Sequence, residues 1–178
     1  MSDLNSATKA YPFASFLYHT DYFTEDQLID LWKEKVGEVI IFNTHFFPMK
    51  EYYSKEMSAG NEDLLKRFIC LTTDQVDRRT MIDLKIWADQ YERTTTKANA
   101  RTVNIDVGLV CPEHMILATG KPYAHRIYLD DGVYAELTYR AEADSYQTLP
   151  WSYPDYCDQD YIDFFTWARK MLVIDLSS

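Results

Sequence analysis

A chain of 178 residues suits one domain, burying roughly 68–70% of its unfolded surface, and 47% hydrophobic residues exclude disorder over most of it. The formal net charge of −10, from 18 Lys and Arg against 28 Asp and Glu, disfavours generic binding to DNA or to anionic membranes. Cys70, Cys111 and Cys157 form no CxxC pair, no apolar run reaches membrane-spanning length, and MSDLNSATKA lacks an apolar signal segment; a soluble, cytoplasmic protein with reduced thiols is expected.

Residues 1–10 are small and polar and are expected to form a loose tail ahead of a single globular domain over 11–178. FASFLY (13–18) has the length and composition of a strand. Thr24 opens a helix, with Gln27 completing a capping box, Glu25 and Asp26 in the positive first turn and Gly37 placed to end it. EVIIFNTHFF (38–47) reads as the next strand, and Tyr52, Tyr53 and Glu56 in the polar segment after it fall at helical spacing. LLKRFICLTT (64–73) is a third strand, after which Asp74 is the expected cap of a helix with Val76, Met81, Leu84, Trp87, Ala88 and Tyr91 on its buried stripe. TTTKANA (94–100) reads as an exposed connection, RTVNIDVGLV (101–110) as a fourth strand and HMILATG (114–120) as a short fifth. A hairpin, a Pro- and Tyr-rich segment TLPWSYPDY and a helix from about Asp158 to Ile174 complete the chain. This order predicts an α+β fold with a mixed or antiparallel sheet, a ferredoxin-like βαββαβ half, an extra β-hairpin and a C-terminal helix.

The hairpin AHRIYLDDGVYAELTYR (124–140) admits two turns. A two-residue Asp131–Gly132 turn pairs Leu129 with Tyr134 and Ile127 with Glu136, which mixes polar and apolar groups on each face. A three-residue Asp130–Asp131–Gly132 loop pairs Leu129 with Val133, Ile127 with Ala135 and His125 with Leu137. Its other face pairs Tyr128 with Tyr134 and Arg126 with Glu136. A one-residue slip flips every side chain, so the clean separation of faces selects the three-residue loop. It places His125 on the apolar side, near the strand's entry where a pocket could reach it, and leaves two readings for the Arg126–Glu136 cross-strand pair, a plain exposed ion pair or part of a functional face.

Chemistry-bearing residues gather in a few places. In VNIDVG, Asn104 and Asp106 share one strand face and suit a hydroxyl, an ammonium group or a metal, while Gly108 permits close backbone approach; the plain alternative is a polar outer face. GKPYAHR sets Lys121, His125 and Arg126 together, as a phosphate or carboxylate site requires. It lacks the GxxxxGK[ST] of a P-loop. PWSYPDY is either an aromatic ligand platform or a lid on the sheet. A carboxylate metal site from Asp106, Glu136 and Glu56 is conceivable on residue type. No histidine spacing marks a metal helix, no GxSxG elbow is present, and no cofactor is indicated.

YYSKEM, LLKRF, VNIDVG, LATGKPYAHRIYLDDGVYAELTYR and LPWSYPDY, in this order and spacing, resemble the bacterial and archaeal family called domain of unknown function 4416, DUF4416. The resemblance runs from about Phe13 into the last helix, and the family's central motif carries a proline where Val107 stands here. It implies a stand-alone single-domain protein without an assigned activity; some relatives carry a loose GTP-binding label. Polar positions that match its motifs are Tyr53, Glu56, Lys66, Asn104, Asp106, Lys121, His125, Arg126, Tyr128, Glu136, Trp151, Tyr153 and Asp155, and no roles come with them.

The residues lead to two functional expectations. In the first, a polar pocket on the sheet binds or acts on a small anionic ligand: Lys121 and Arg126 hold the anion, Asn104, Tyr128 and Tyr134 line the site, Asp106 or Glu136 serves as general base, and His125 carries protons. It requires the NID strand and the hairpin to be neighbours. In the second, a Tyr- and Trp-rich surface around Trp151, Tyr153 and Tyr156 meets a protein partner.

Overall fold

Period-two alternation commits much of the chain to strands, and their pairing decides what the sheet can hold. The computed structural model describes residues 3–43, 50–57 and 61–178. In chain order its elements are β1 (Tyr11–His19), α1 (Glu25–Val36), β2 (Val39–Asn43), α2 (Lys50–Glu56), β3 (Leu65–Thr72), α3 (Thr80–Thr95), β4 (Val103–Val110) and β5 (His114–Thr119). Then follow β6 (Arg126–Asp130), β7 (Val133–Glu142), β8 (Ser145–Thr148) and α4 (Gln159–Asp175). The fold is α+β. One sheet runs β2-β3-β1-β4-β5-β7-β6, with β8 also on β7, and every pairing is antiparallel. The part of the second predicted strand beyond Asn43 lies outside the described residues.

β1 is buried along its whole length because it is central and covered on both faces. Phe16, Phe68, Ile105 and Val107 pack beneath α1 and α3, whereas Phe13, Ile69 and Tyr139 pack with Tyr156 and with Phe165 of α4. The predicted capping box forms at α1, where the Thr24 hydroxyl accepts from the Gln27 N–H at 3.3 Å and the Gln27 side chain accepts from the Thr24 N–H at 2.9 Å.

The helix expected from Asp74 begins later, at Thr80. The Val76 N–H and carbonyl are taken by Ala10 in an antiparallel bridge, at 2.9 and 3.0 Å, so the chain cannot coil there. Asp74 lies instead against Gly37. The bridge buries Ala10 fully, and Arg78 holds Thr8 at 2.8 Å, so the expected loose tail is anchored at its end.

The hairpin combines both turns considered for it. Asp131 and Gly132 have φ of 49° and 79°, the pair of positive angles that a two-residue type I′ turn requires. An irregularity between Tyr128 and Asp130 then shifts the register. The pairs Arg126–Glu136, Ile127–Ala135 and Tyr128–Tyr134 therefore form as predicted, whereas Val133 meets Asp130 in place of Leu129. The apolar face is not covered at this edge strand: Val133 is in the core, while Ile127 is 72% exposed.

β5 and β7 carry a second irregularity. Met115 pairs with Tyr139 and Ile116 with Leu137, so Thr138 is the extra residue. On its other side β5 pairs with β4 only across Gly108–Val110, leaving the first half of β4 parted from β5. A Cβ on Gly108 would collide with the Ile116 carbonyl oxygen and the Phe13 ring. Gly108→Ala is expected to cost about 1–3 kcal/mol, seen as a lower denaturant midpoint at unchanged slope; an unchanged midpoint would show that the β4–β5 approach yields freely.

Candidate functional site

The parting of β4 and β5 opens a cleft of about 520 Å³ whose lining is dominated by charged and tyrosine side chains. Arg67 of this lining donates through Nε to the hydroxyl of Ser15, the polar residue within FASFLY, at 3.1 Å. Both are buried. Arg67 Nη1 pairs with Asp155, and Nη2 lies 3.6 Å from Asp106 Oδ2. Asp155 arrives on a 3-10 turn, Pro154–Cys157, held to the sheet by the Tyr139 hydroxyl, which donates to the Tyr156 carbonyl.

As predicted, Asn104 and Asp106 share a face, and Asn104 Nδ2 donates to Asp106 Oδ2 at 2.9 Å. Arg101 donates to the Asn104 side-chain oxygen Oδ1 and pairs with Glu56 Oε1 at 2.9 Å and Glu92 Oε2 at 3.5 Å. This network joins α2, α3, β3, β4 and the 3-10 turn. Glu92 is nearly buried; its Oε1 accepts from the Ile105 N–H at 2.7 Å, on the stretch of β4 that β5 has left. Burial pushes its carboxyl up to about 7, against the pull of Lys85, the Ile105 N–H and Arg101.

A second group sits on β7. Glu136 Oε2 accepts from Arg126 Nε at 2.6 Å and lies 3.3 Å from His125 Nε2. Arg126 also donates to the Lys121 carbonyl and to the Tyr153 hydroxyl, both at 2.9 Å. The His125 ring stacks on Trp151 at 5.1 Å; Trp151 Nε1 donates to the Leu137 carbonyl at 2.7 Å, and the Ser152 hydroxyl donates to the Thr138 carbonyl at 2.6 Å. Burial raises the Tyr153 hydroxyl above its usual range, with Glu136 adding to the effect.

Several expectations need correction. The NID strand and the hairpin are not neighbours, since β5 lies between β4 and β7; Asn104, Asp106, Lys121 and Glu136 nevertheless line one cleft. Arg126 and Glu136 are not an exposed pair: their side chains are 4% and 1% exposed. His125 does not pack on the apolar side opposite Leu137. It precedes β6 in a turn closed by the Arg126 N–H and Tyr123 carbonyl, where strand alternation no longer applies. Tyr128 and Tyr134 pair edge-to-face at 5.3 Å outside the cleft lining. Lys66 is exposed. Among the described residues no group of three or more His, Cys, Asp or Glu side chains is placed to share a metal, so Asp106, Glu136 and Glu56 do not form that cluster.

Arg67, Arg101, Glu92 and Lys85 went unread as cleft residues. One signal existed: Glu92 continues the Leu84–Ala88 stripe of α3 at four-residue spacing, an acid where an apolar residue belongs.

A family model described as Domain of unknown function (DUF4416) matches residues 8–172, and the chain belongs to that family. No curated protein and no solved structure matches it. Among the described residues no helix is long and apolar enough to cross a membrane.

Two outcomes test this site. The folded state holds the Glu92 proton more tightly than an ordinary carboxyl at 4.5, so its stabilisation is complete below pH 4.5 and is lost as pH rises through 7. Glu92→Gln retains an acceptor and cannot ionise. Relative to the wild type its stability is expected to climb by about 2–3 kcal/mol over that window in pH-resolved denaturant unfolding; a flat difference would mean an ordinary carboxyl. Arg67→Met deprives Asp155 and Asp106 of their cation, and a loss of about 3–5 kcal/mol is expected in the same assay. A loss below about 1 kcal/mol would show that Asp155 swings out to water.

Proposed function

We propose that this member of the DUF4416 family binds a small ligand bearing a phosphate or carboxylate group in the cleft between β4 and β5. The observation that carries the reading is what internal pairing leaves over. Arg67 and Arg101 meet carboxylates within the network, and Arg93 meets Asp89 at 2.6 Å. The side-chain amines of Lys85 and Lys121, in the same lining, have no hydrogen bond or ion pair among the described residues. Two ammonium groups facing a shared, partly enclosed space attract an anion more strongly than they would on an open surface.

In this reading Asp106 and Glu136 are the carboxylates that meet the ligand's polar groups, with His125 and Arg126 orienting Glu136 from behind. Tyr128 and Tyr134 have no part in it. Trp151 and Ser152 direct their polar side-chain atoms inward to β7, which favours a lid over a protein-docking surface. Cys70 and Cys111 are buried free thiols pushed up to about 12 by burial, which supports a soluble protein of a reducing, cytoplasmic setting.

Calorimetry with inorganic phosphate and with citrate at low ionic strength tests the reading. At least one anion is expected to bind, roughly tenfold more weakly in Lys121→Ala and in Lys85→Ala, and more weakly again in added salt. No heat and no melting shift with either anion would overturn it.

A further inference from the structure

We infer that the cleft selects an anion that also carries a small hydrogen-bond donor, a hydroxyl or an amine, received by Glu136 Oε1; this rests on the anion reading above. The two oxygens of Glu136 are treated differently. Oε2 takes both Arg126 Nε and His125 Nε2, whereas Oε1 is buried without a hydrogen-bond partner.

The donors that reach Glu136 are already committed. Arg126 directs Nη1 to the Lys121 carbonyl and Nη2 to the Tyr153 hydroxyl, and the His125 nitrogen that reaches Glu136 already lies on Oε2. An acceptor closed off from water and left unpaired costs about 1–3 kcal/mol, more when charged, so the arrangement is unfavourable until something donates to it.

The same lining holds a second such atom. The Tyr156 hydroxyl is buried and unpartnered, and burial raises it well above the ordinary tyrosine range, so it meets a ligand as a neutral hydroxyl that can donate or accept. Two unpartnered polar atoms on the cleft that also holds Lys85 and Lys121 describe a ligand with an anionic end and a donor-bearing body. Neither atom is exposed to solvent, so only a small group, with local side-chain adjustment, reaches either. Hydroxylated or amino-substituted phosphate esters and carboxylates have this chemistry; simple anions lack half of it.

The test compares propyl phosphate, glycerol 3-phosphate and 3-aminopropyl phosphate by calorimetry on the full chain. A hydroxyl or amino ester is expected to bind about 10- to 100-fold more tightly than propyl phosphate, and whichever gains identifies the donor. Glu136→Gln and Tyr156→Phe, both close in shape to the residue replaced, are expected to shrink that preference, read within each variant as the ratio of its affinities for the donor-bearing ester and for propyl phosphate. Equal binding of all three esters, still weakened by Lys121→Ala, overturns the donor subsite and leaves the anion reading standing. A preference that survives both substitutions also overturns it. Binding of none of the three overturns both readings.

Discussion

The departure of β5 from β4 beyond Gly108 is the constraint on which the candidate site depends. A strand that loses its neighbour exposes backbone groups that need partners, and burial makes that need costly. Here α3 answers it: the Glu92 carboxylate accepts the Ile105 N–H at 2.7 Å, where a strand carbonyl would otherwise sit. That one substitution of side chain for strand brings an acid into an apolar helix stripe, raises its proton affinity and draws Arg101 toward it. Gly108 marks the apex because the two strands are still in close contact there, with the Ile116 carbonyl where a side chain would begin.

The charges that fill this opening position groups more than they stabilise the fold. Buried ion pairs recover little beyond their desolvation cost, yet removing one partner is severe, so a linked set is sensitive to each member. Arg67 binds a serine of β1 and a carboxylate of the 3-10 turn, and it stands close to one of β4; Arg101 does the same for α2, α3 and β4. With the arginines engaged in this way, Lys85 and Lys121 are the cleft cations without a hydrogen bond or ion pair among the described residues.

Local signals made most of the fold legible. The capping box at Thr24 was readable because its partners lie three residues apart, and the strands through β5 follow their own composition. Misreadings arose where a distant segment intervenes. Asp74 has the chemistry of a helix cap, but Ala10, at the start of the neighbouring strand and 66 residues earlier in the chain, claims the Val76 backbone. Arg126 and Glu136 were rightly paired, yet their burial depends on the segment around Trp151 folding back over β7, which hairpin periodicity cannot encode. Ser15 and Arg67 are 52 residues apart, and neither carries a motif that names the other. Where a polar residue interrupts an apolar pattern, as Ser15 and Glu92 do, the interruption itself was the available clue.

The two sheet irregularities then account for why a plain hairpin contributes to a charged site. Side chains three positions apart on a regular strand face opposite sides, so Glu136 would oppose Tyr139. The extra residue Thr138 returns both to the α4 side, where Tyr139 anchors the 3-10 turn and Glu136 meets the cleft. The irregularity at Leu129 performs the matching adjustment on β6. A type I′ turn continued without it would place Ile127 opposite Glu136; the shift places Arg126 there. The Arg126–Glu136 pair therefore requires an insertion on each side of Glu136, one setting which face it takes and the other which residue it meets. Both insertions add twist and interrupt a ladder, so the pair is set by local departures from regular strand geometry on both sides of Glu136.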